Sequence, residues 1–182
     1  GPWVKDGAGR EYLDFVSGIA VNALGHSPAG LGAAVARQMK QLTQCSNLFA
    51  NRPALEFAKS LLQATGYERV FFCNSGTEGI DAALKFARAR ARALGMPGRG
   101  IVAFKGGFHG RTAGALSLTH LGNYRAQFPS IVRPTVAVPF GDVAALKAKL
   151  HADVAAVIIE PIQSMNGMNT APAEYYRGLV TA

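Results

Sequence analysis

With 182 residues, 49% of them hydrophobic, the chain is long enough to bury a sizeable core as one domain or most of a larger one. Its net charge of +8 is dispersed, and the densest basic group, Arg88, Arg90, Arg92 and Arg99, lacks interleaved aromatics, so it reads as a solvated helix face and not as a nucleic-acid footprint. No run approaches the roughly 18 apolar residues of a membrane span and no basic, apolar leader opens the chain, so a cytoplasmic protein without membrane contact is expected.

In chain order, residues 3–15 predict a small β element. A Gly and Pro loop, "GHSPAG", follows, then two helices over about 30–42 and 53–64. This part is an N-terminal arm or subdomain. Four runs of Val, Ile, Phe and Ala, at 70–73, 100–104, 135–138 and 154–160, lack polar alternation, as strands buried on both faces do. Between the first two, residues 78–94 place Ile80, Ala83, Leu84, Ala87, Ala91 and Leu94 on one helical stripe and Lys85, Arg88 and Arg92 on another. Gly95 and Pro97 end that helix. Strands alternating with helices predict an α/β fold with a mostly parallel sheet. Cys45 and Cys73 have no paired spacing, so two reduced, buried, non-catalytic thiols and no metal site are expected.

Three strand ends carry the chemistry, because ligands of parallel sheets gather where strands turn into helices. After 70–73 comes Asn74-Ser75-Gly76-Thr77-Glu78. Gly76 allows close backbone approach, Ser75 and Thr77 offer hydroxyls, and the next helix starts with unpaired N–H groups, which suits a phosphate monoester. By itself the same loop reads first as a plain helix cap, with Ser75 or Thr77 accepting an N–H and Glu78 favouring the dipole. Neither a Walker signature nor G-x-G-x-x-G follows the strand, which disfavours a nucleotide. After 100–104, "KGGFHGRT" brings Phe108 and His109 to a glycine-rich edge suited to stacking on a flat ring. Lys105 in this loop is read as a solvated residue. The third end, "VIIEPIQSMNG", delivers Glu160 where Pro161 stops strand pairing, either into a site or into an ion pair that holds loops together.

At this point the sequence resembles the class III, or ω-, aminotransferases, which are pyridoxal 5′-phosphate (PLP) enzymes of fold type I. The likeness rests on "DGAGREYLDFVSGIAVNALGH", "SNLFANRPALEFAKSLL", "FFCNSGTEGIDAALKFARA", "FKGGFHGRTAGALSLT" and "IIEPIQSMNG", in the family's order, and is strongest to the acetylornithine and ornithine group. It implies a three-layer large domain, incomplete here, with residues 1–52 as N-terminal arm and 53–182 as the N-terminal part of the PLP-binding domain. It implies that Ser75, Gly76 and Thr77 bind the cofactor phosphate, that Phe108 stacks on the pyridine ring with His109 beside it, and that Ile19, Glu160 and Gln163 line the substrate site. The family's Schiff-base lysine and ring-nitrogen aspartate lie downstream of the motif at 160, and none of Lys5, Lys40, Lys59, Lys85, Lys105, Lys147 and Lys149 matches that lysine's segment. Met165 also stands where the family commonly has a glutamate.

The expected function is therefore transfer of an amino group from an ω-amino or ornithine-type donor to a 2-oxo acid, in a chain without its own catalytic lysine. A homo-oligomer, or pairing with a missing C-terminal half, is expected. The alternative is a non-catalytic or split-subunit interaction module that keeps the PLP-transferase scaffold.

Overall fold

The first fifteen residues double back because Asp6 closes a turn: its carboxylate accepts the N–H groups of Ala8 and Arg10 and the Nε–H of Arg10. Strand β1 (Trp3–Lys5) thereby pairs antiparallel with β2 (Glu11–Leu13). The computed structural model describes residues 1–96, 100–128 and 135–182, so Pro97 and Arg99 lie outside the described residues. The chain forms two compact units, Gly1–Val70 and Phe71–Ala182.

In the first unit the turn α1 (Ser17–Ala20) is left-handed, with φ of 51° at Ser17, 63° at Gly18, 62° at Ile19 and 61° at Ala20. Only Gly18 adopts this conformation freely; the other three strain against their own Cβ atoms. Asp14 holds the turn: Oδ1 accepts the N–H groups of Val16 and Ser17, and Oδ2 lies 2.7 Å from His26 Nε2. Helices α2 (Leu31–Gln41) and α3 (Arg52–Thr65) form where the sequence predicts them. Asn51 caps α3 by accepting the N–H of Ala54, and Gly66, at φ 72°, ends it.

The second unit is a three-layer α/β arrangement. Its parallel sheet runs β4 (Thr135–Val138), β3 (Gly100–Phe104), β5 (Val154–Val157). Every residue of the central strand β3 is buried, and its side chains alternate between two cores. Ile101 and Ala103 meet Leu84 of α4 (Gly76–Ala93) and Leu118 of α5 (Ala113–Leu118). Val102 and Phe104 meet Leu146 of α6 (Val143–Lys147) and Tyr175 of α7 (Ala173–Val180). The stripe of α4 that faces the sheet is Ile80, Leu84, Ala87 and Ala91, whereas Ala83 and Leu94 are exposed.

Three expectations fail here. Residues 70–73 form no strand, because no described strand lies beside them to complete a ladder; Phe71 and Phe72 are exposed, and Phe71 packs edge-on to Phe86. For the same reason Cys73 is exposed and not buried, while Cys45 is partly buried; both are free thiols. The fourth predicted strand also ends early, at Val157, although the N–H of Ile158 still donates to the Val102 carbonyl.

Candidate functional site

Strands β3 and β5 and the start of α4 bring their loops to one rim of the second unit. Ser75, in extended conformation, accepts the N–H of Glu78, and the Glu78 carboxylate accepts the N–H of Asn74 at 2.6 Å. This is a reciprocal capping arrangement, so the capping role foreseen for this loop is present. It leaves the N–H groups of Gly76 and Thr77, the first two of the 18-residue helix, without an acceptor one turn back. A Cβ added at Gly76 would meet nothing within 4 Å, so the space at the positive end of the helix is open.

The glycine loop comes directly against this helix start. Gly110 has φ 125°, and a Cβ there would collide with the Thr77 side chain. Thr77 Oγ1 lies 2.8 Å from Thr112 Oγ1 and accepts the Thr112 N–H at 3.4 Å. Phe108 is half-buried, its ring 5.6 Å from that of Tyr124 at 65°, with the Arg111 guanidinium 5.0 Å over the Tyr124 ring. His109 is 7% exposed; its N–H donates to Thr119 Oγ1, while Nε2 is buried with no hydrogen-bond partner among the described residues. Burial lowers its pKa and keeps the ring neutral. Lys105 is exposed, in agreement with its reading as a solvated residue.

The β5 side supplies the other half. Glu160 Oε2 accepts the N–H of Phe108 at 2.7 Å across 52 residues of sequence. It thus holds loops together through a hydrogen bond to the backbone, without an ion pair among the described residues. Gln163 is fully buried; Nε2 donates to the Lys105 carbonyl at 2.9 Å, and Oε1 accepts from Asn166 Nδ2 and Asn169 Nδ2. Met165 lies next to it in a 3-10 turn at Ser164–Asn166. Ile19 belongs to the first unit, where the left-handed turn leaves it 73% exposed.

The rim therefore brings together Ser75, Gly76, Thr77, Phe108, His109, Glu160 and Gln163. Sequence reasoning missed Thr112, Thr119, Tyr124 and Asn166. Thr112 precedes a helix and Thr119 follows the same one, so both pass for ordinary helix ends; no spacing pattern separates Tyr124 or Asn166 from loop residues. A phosphorylated ring fits the donor set: open helix-start N–H groups, a glycine loop with no room for a Cβ, an aromatic ring and an orphaned imidazole nitrogen.

No helix of the described residues is long and apolar enough to cross a membrane. The family description "Aminotransferase class-III" matches residues 1–181. Over 181 residues, 98% of this chain, the sequence is 43% identical to an acetylornithine aminotransferase of Methanopyrus kandleri, of which it covers 45%. It is 45% identical over 176 residues to the acetylornithine aminotransferase of Neisseria meningitidis serogroup B, covering 44% of that protein. Among solved structures, the ornithine aminotransferase of Toxoplasma gondii, with partial occupancy of PLP at its active site, superposes with a TM-score of 0.90 at 29% identity over 100% of this chain and 44% of that one. The N-acetylornithine aminotransferase of Stenotrophomonas maltophilia superposes with a TM-score of 0.80 at 35% identity, covering 98% of this chain and 44% of that one. The chain spans less than half the length of these relatives. With the family pattern matched from end to end and a parallel α/β layer structure to go with it, the chain belongs to the class III aminotransferases and has part of the fold type I domain of PLP-dependent transferases.

Proposed function

We propose that this chain is the phosphate- and ring-holding portion of a PLP-dependent aminotransferase that moves an amino group from an ω-amino or ornithine-type donor, of the acetylornithine kind, to a 2-oxo acid. The observation that carries the reading is the contact of Gly110 with Thr77 beside the open N-terminus of α4, which puts an open helix start and an aromatic residue on one rim.

In this reading the N–H groups of Gly76 and Thr77 and the Ser75 hydroxyl hold the cofactor phosphate, helped by the positive end of the helix. Phe108 lies on the pyridine ring, kept in place from behind by Tyr124. His109, neutral and buried, keeps water from the ring edge and offers Nε2, a buried nitrogen without a partner among the described residues. Glu160 and Gln163 wall the site through the loop that carries Phe108, residues 1–52 are the arm, and residues 53–182 belong to the large domain. When bound, PLP supplies an electron sink for proton movement at the carbon bearing the amine. No lysine or aspartate of this chain is assigned to the covalent anchor or to the ring nitrogen, so in this reading groups outside these 182 residues complete the chemistry. The setting is cytoplasmic.

The test is PLP binding followed by the cofactor's absorbance and by protein fluorescence. The wild-type chain binds PLP, and Thr77→Ala combined with Ser75→Ala weakens binding about tenfold to a hundredfold while binding of pyridoxal, which lacks the phosphate, is unchanged. Equal weakening for both ligands, or no binding by the wild type, would refute the assignment. Absent binding would favour the scaffold reading, for which exposed Phe71 and Phe72 and the apolar groove along Leu150, Val157, Leu179 and Val180 are the supporting observations.

A further inference from the structure

We infer that Glu160 and Gln163 are positioning residues: together they latch the 105–110 loop from the β5 side and set the pose of Phe108 before any ligand arrives. The inference rests on the PLP reading above for its ligand, and on hydrogen bonding alone for the latch.

The loop is held at almost every residue. The Lys105 N–H donates to the Val138 carbonyl, the Gly106 N–H to the His120 carbonyl, and the Gly107 carbonyl accepts the His120 N–H. Thr119 Oγ1 accepts the His109 N–H and donates to the Gly110 carbonyl. Those bonds come from β4 and the end of α5. Two groups reach in from the other side. Gln163 takes the Lys105 carbonyl, and Glu160 takes the Phe108 N–H, 3 residues further along.

Gln163 cannot serve a ligand at the same time. It is fully buried, and both ends of its amide are spent inside the protein. It also lies against the loop: at Gly106, φ 81°, an added Cβ would stand 2.8 Å from Gln163 Oε1 and would collide with Asn166 Nδ2. Only glycine fits between the latch and the strand. Glu160 differs in needing one acceptor oxygen, not its charge, for the bond to Phe108. That distinction separates positioning from ligand contact, because a glutamine at 160 keeps the acceptor and loses the charge.

Amide hydrogen exchange of the full chain without cofactor reads the latch directly, and PLP affinity reads its consequence. In Glu160→Ala the Phe108 amide exchanges at least tenfold faster and PLP affinity falls about tenfold; in Glu160→Gln both stay within about threefold of wild type. Gln163→Glu adds a pH signature. Buried there, its carboxyl is raised above the ordinary value of about 4.3; compared with wild type at the same pH, protection of the loop is lost at pH 8, where the carboxylate repels the Lys105 carbonyl, and is regained as the pH falls and the protonated carboxyl donates to it. Circular dichroism and urea midpoints verify folding, and Glu160→Met, similar in size but without an acceptor, replaces the alanine variant if that does not fold. Unchanged Phe108 exchange in Glu160→Ala and Glu160→Met overturns the latch. So does a Glu160→Gln variant as impaired as the alanine, which would mean that the charge touches a ligand. If wild type binds no PLP, the functional reading falls alone, since the exchange measurements still decide the latch.

Discussion

His120 shows how one residue's surroundings become a measurable property. Arg125 Nη1 lies 3.0 Å from its Nδ1 and 2.9 Å from its Nε2, nearly equidistant, so the guanidinium sits over the ring and does not form a single in-plane bond. Burial first, and then the Arg125 charge, push the His120 pKa down from 6.5 to about 4. The unfolded ring takes up a proton near pH 6.5 while the folded one stays neutral to about pH 4, so stability is lost as pH falls through that window. His109 shifts in the same direction, again through burial. Asp6 and Asp14, held below 3.8 chiefly by hydrogen bonds from Arg10 and from the Ser17 N–H, act only in stronger acid. Urea denaturation at pH 7.5 and 5 will show a loss on the order of 1–2 kcal/mol, reduced by solvent screening of a partly exposed ring. In His120→Asn most of that loss disappears, and an unchanged pH slope would contradict the assignment.

At the scale of elements, the left-handed α1 turn is the clearest conflict between local preference and tertiary demand. Three residues that each cost roughly 1 kcal/mol in this conformation are held by the Asp14 carboxylate, and the turn displays Ile19 to solvent. Ile19→Gly relieves the strain, so its thermal midpoint rises, corresponding to about 1 kcal/mol. A lowered midpoint would show that the turn is not strained at Ile19. The helix beginning at Gly76 is the opposite case: local chemistry and tertiary role coincide, since Ser75 and Glu78 finish the cap and leave two N–H groups facing outward.

For the whole molecule, the exposed apolar surface is the main physical fact. Phe71, Phe72, Phe86, Leu48 and Phe49 are all more than 40% exposed, and the three-stranded sheet has an outer edge on both β4 and β5 among the described residues. Association covers such surface. Sedimentation velocity at micromolar concentration will therefore show species larger than the monomer, and a single monomeric boundary would argue against this. The same exposure explains where sequence reading stopped short. Residues 70–73 have the composition of a strand, yet a strand is a pairing, and composition does not supply a partner. What the sequence by itself determined was the order of most elements, the helix cap at Ser75, and the loops bearing Thr77, Phe108 and Glu160, because propensity, capping and glycine conformation are local. Only the tertiary structure decided that Glu160 takes the Phe108 N–H, that Gln163 spends its amide on Lys105, and that Gly110 abuts Thr77. Those contacts join residues 33 to 58 positions apart, and such distances are set by how β3, β5 and α4 pack and by no repeat in the chain.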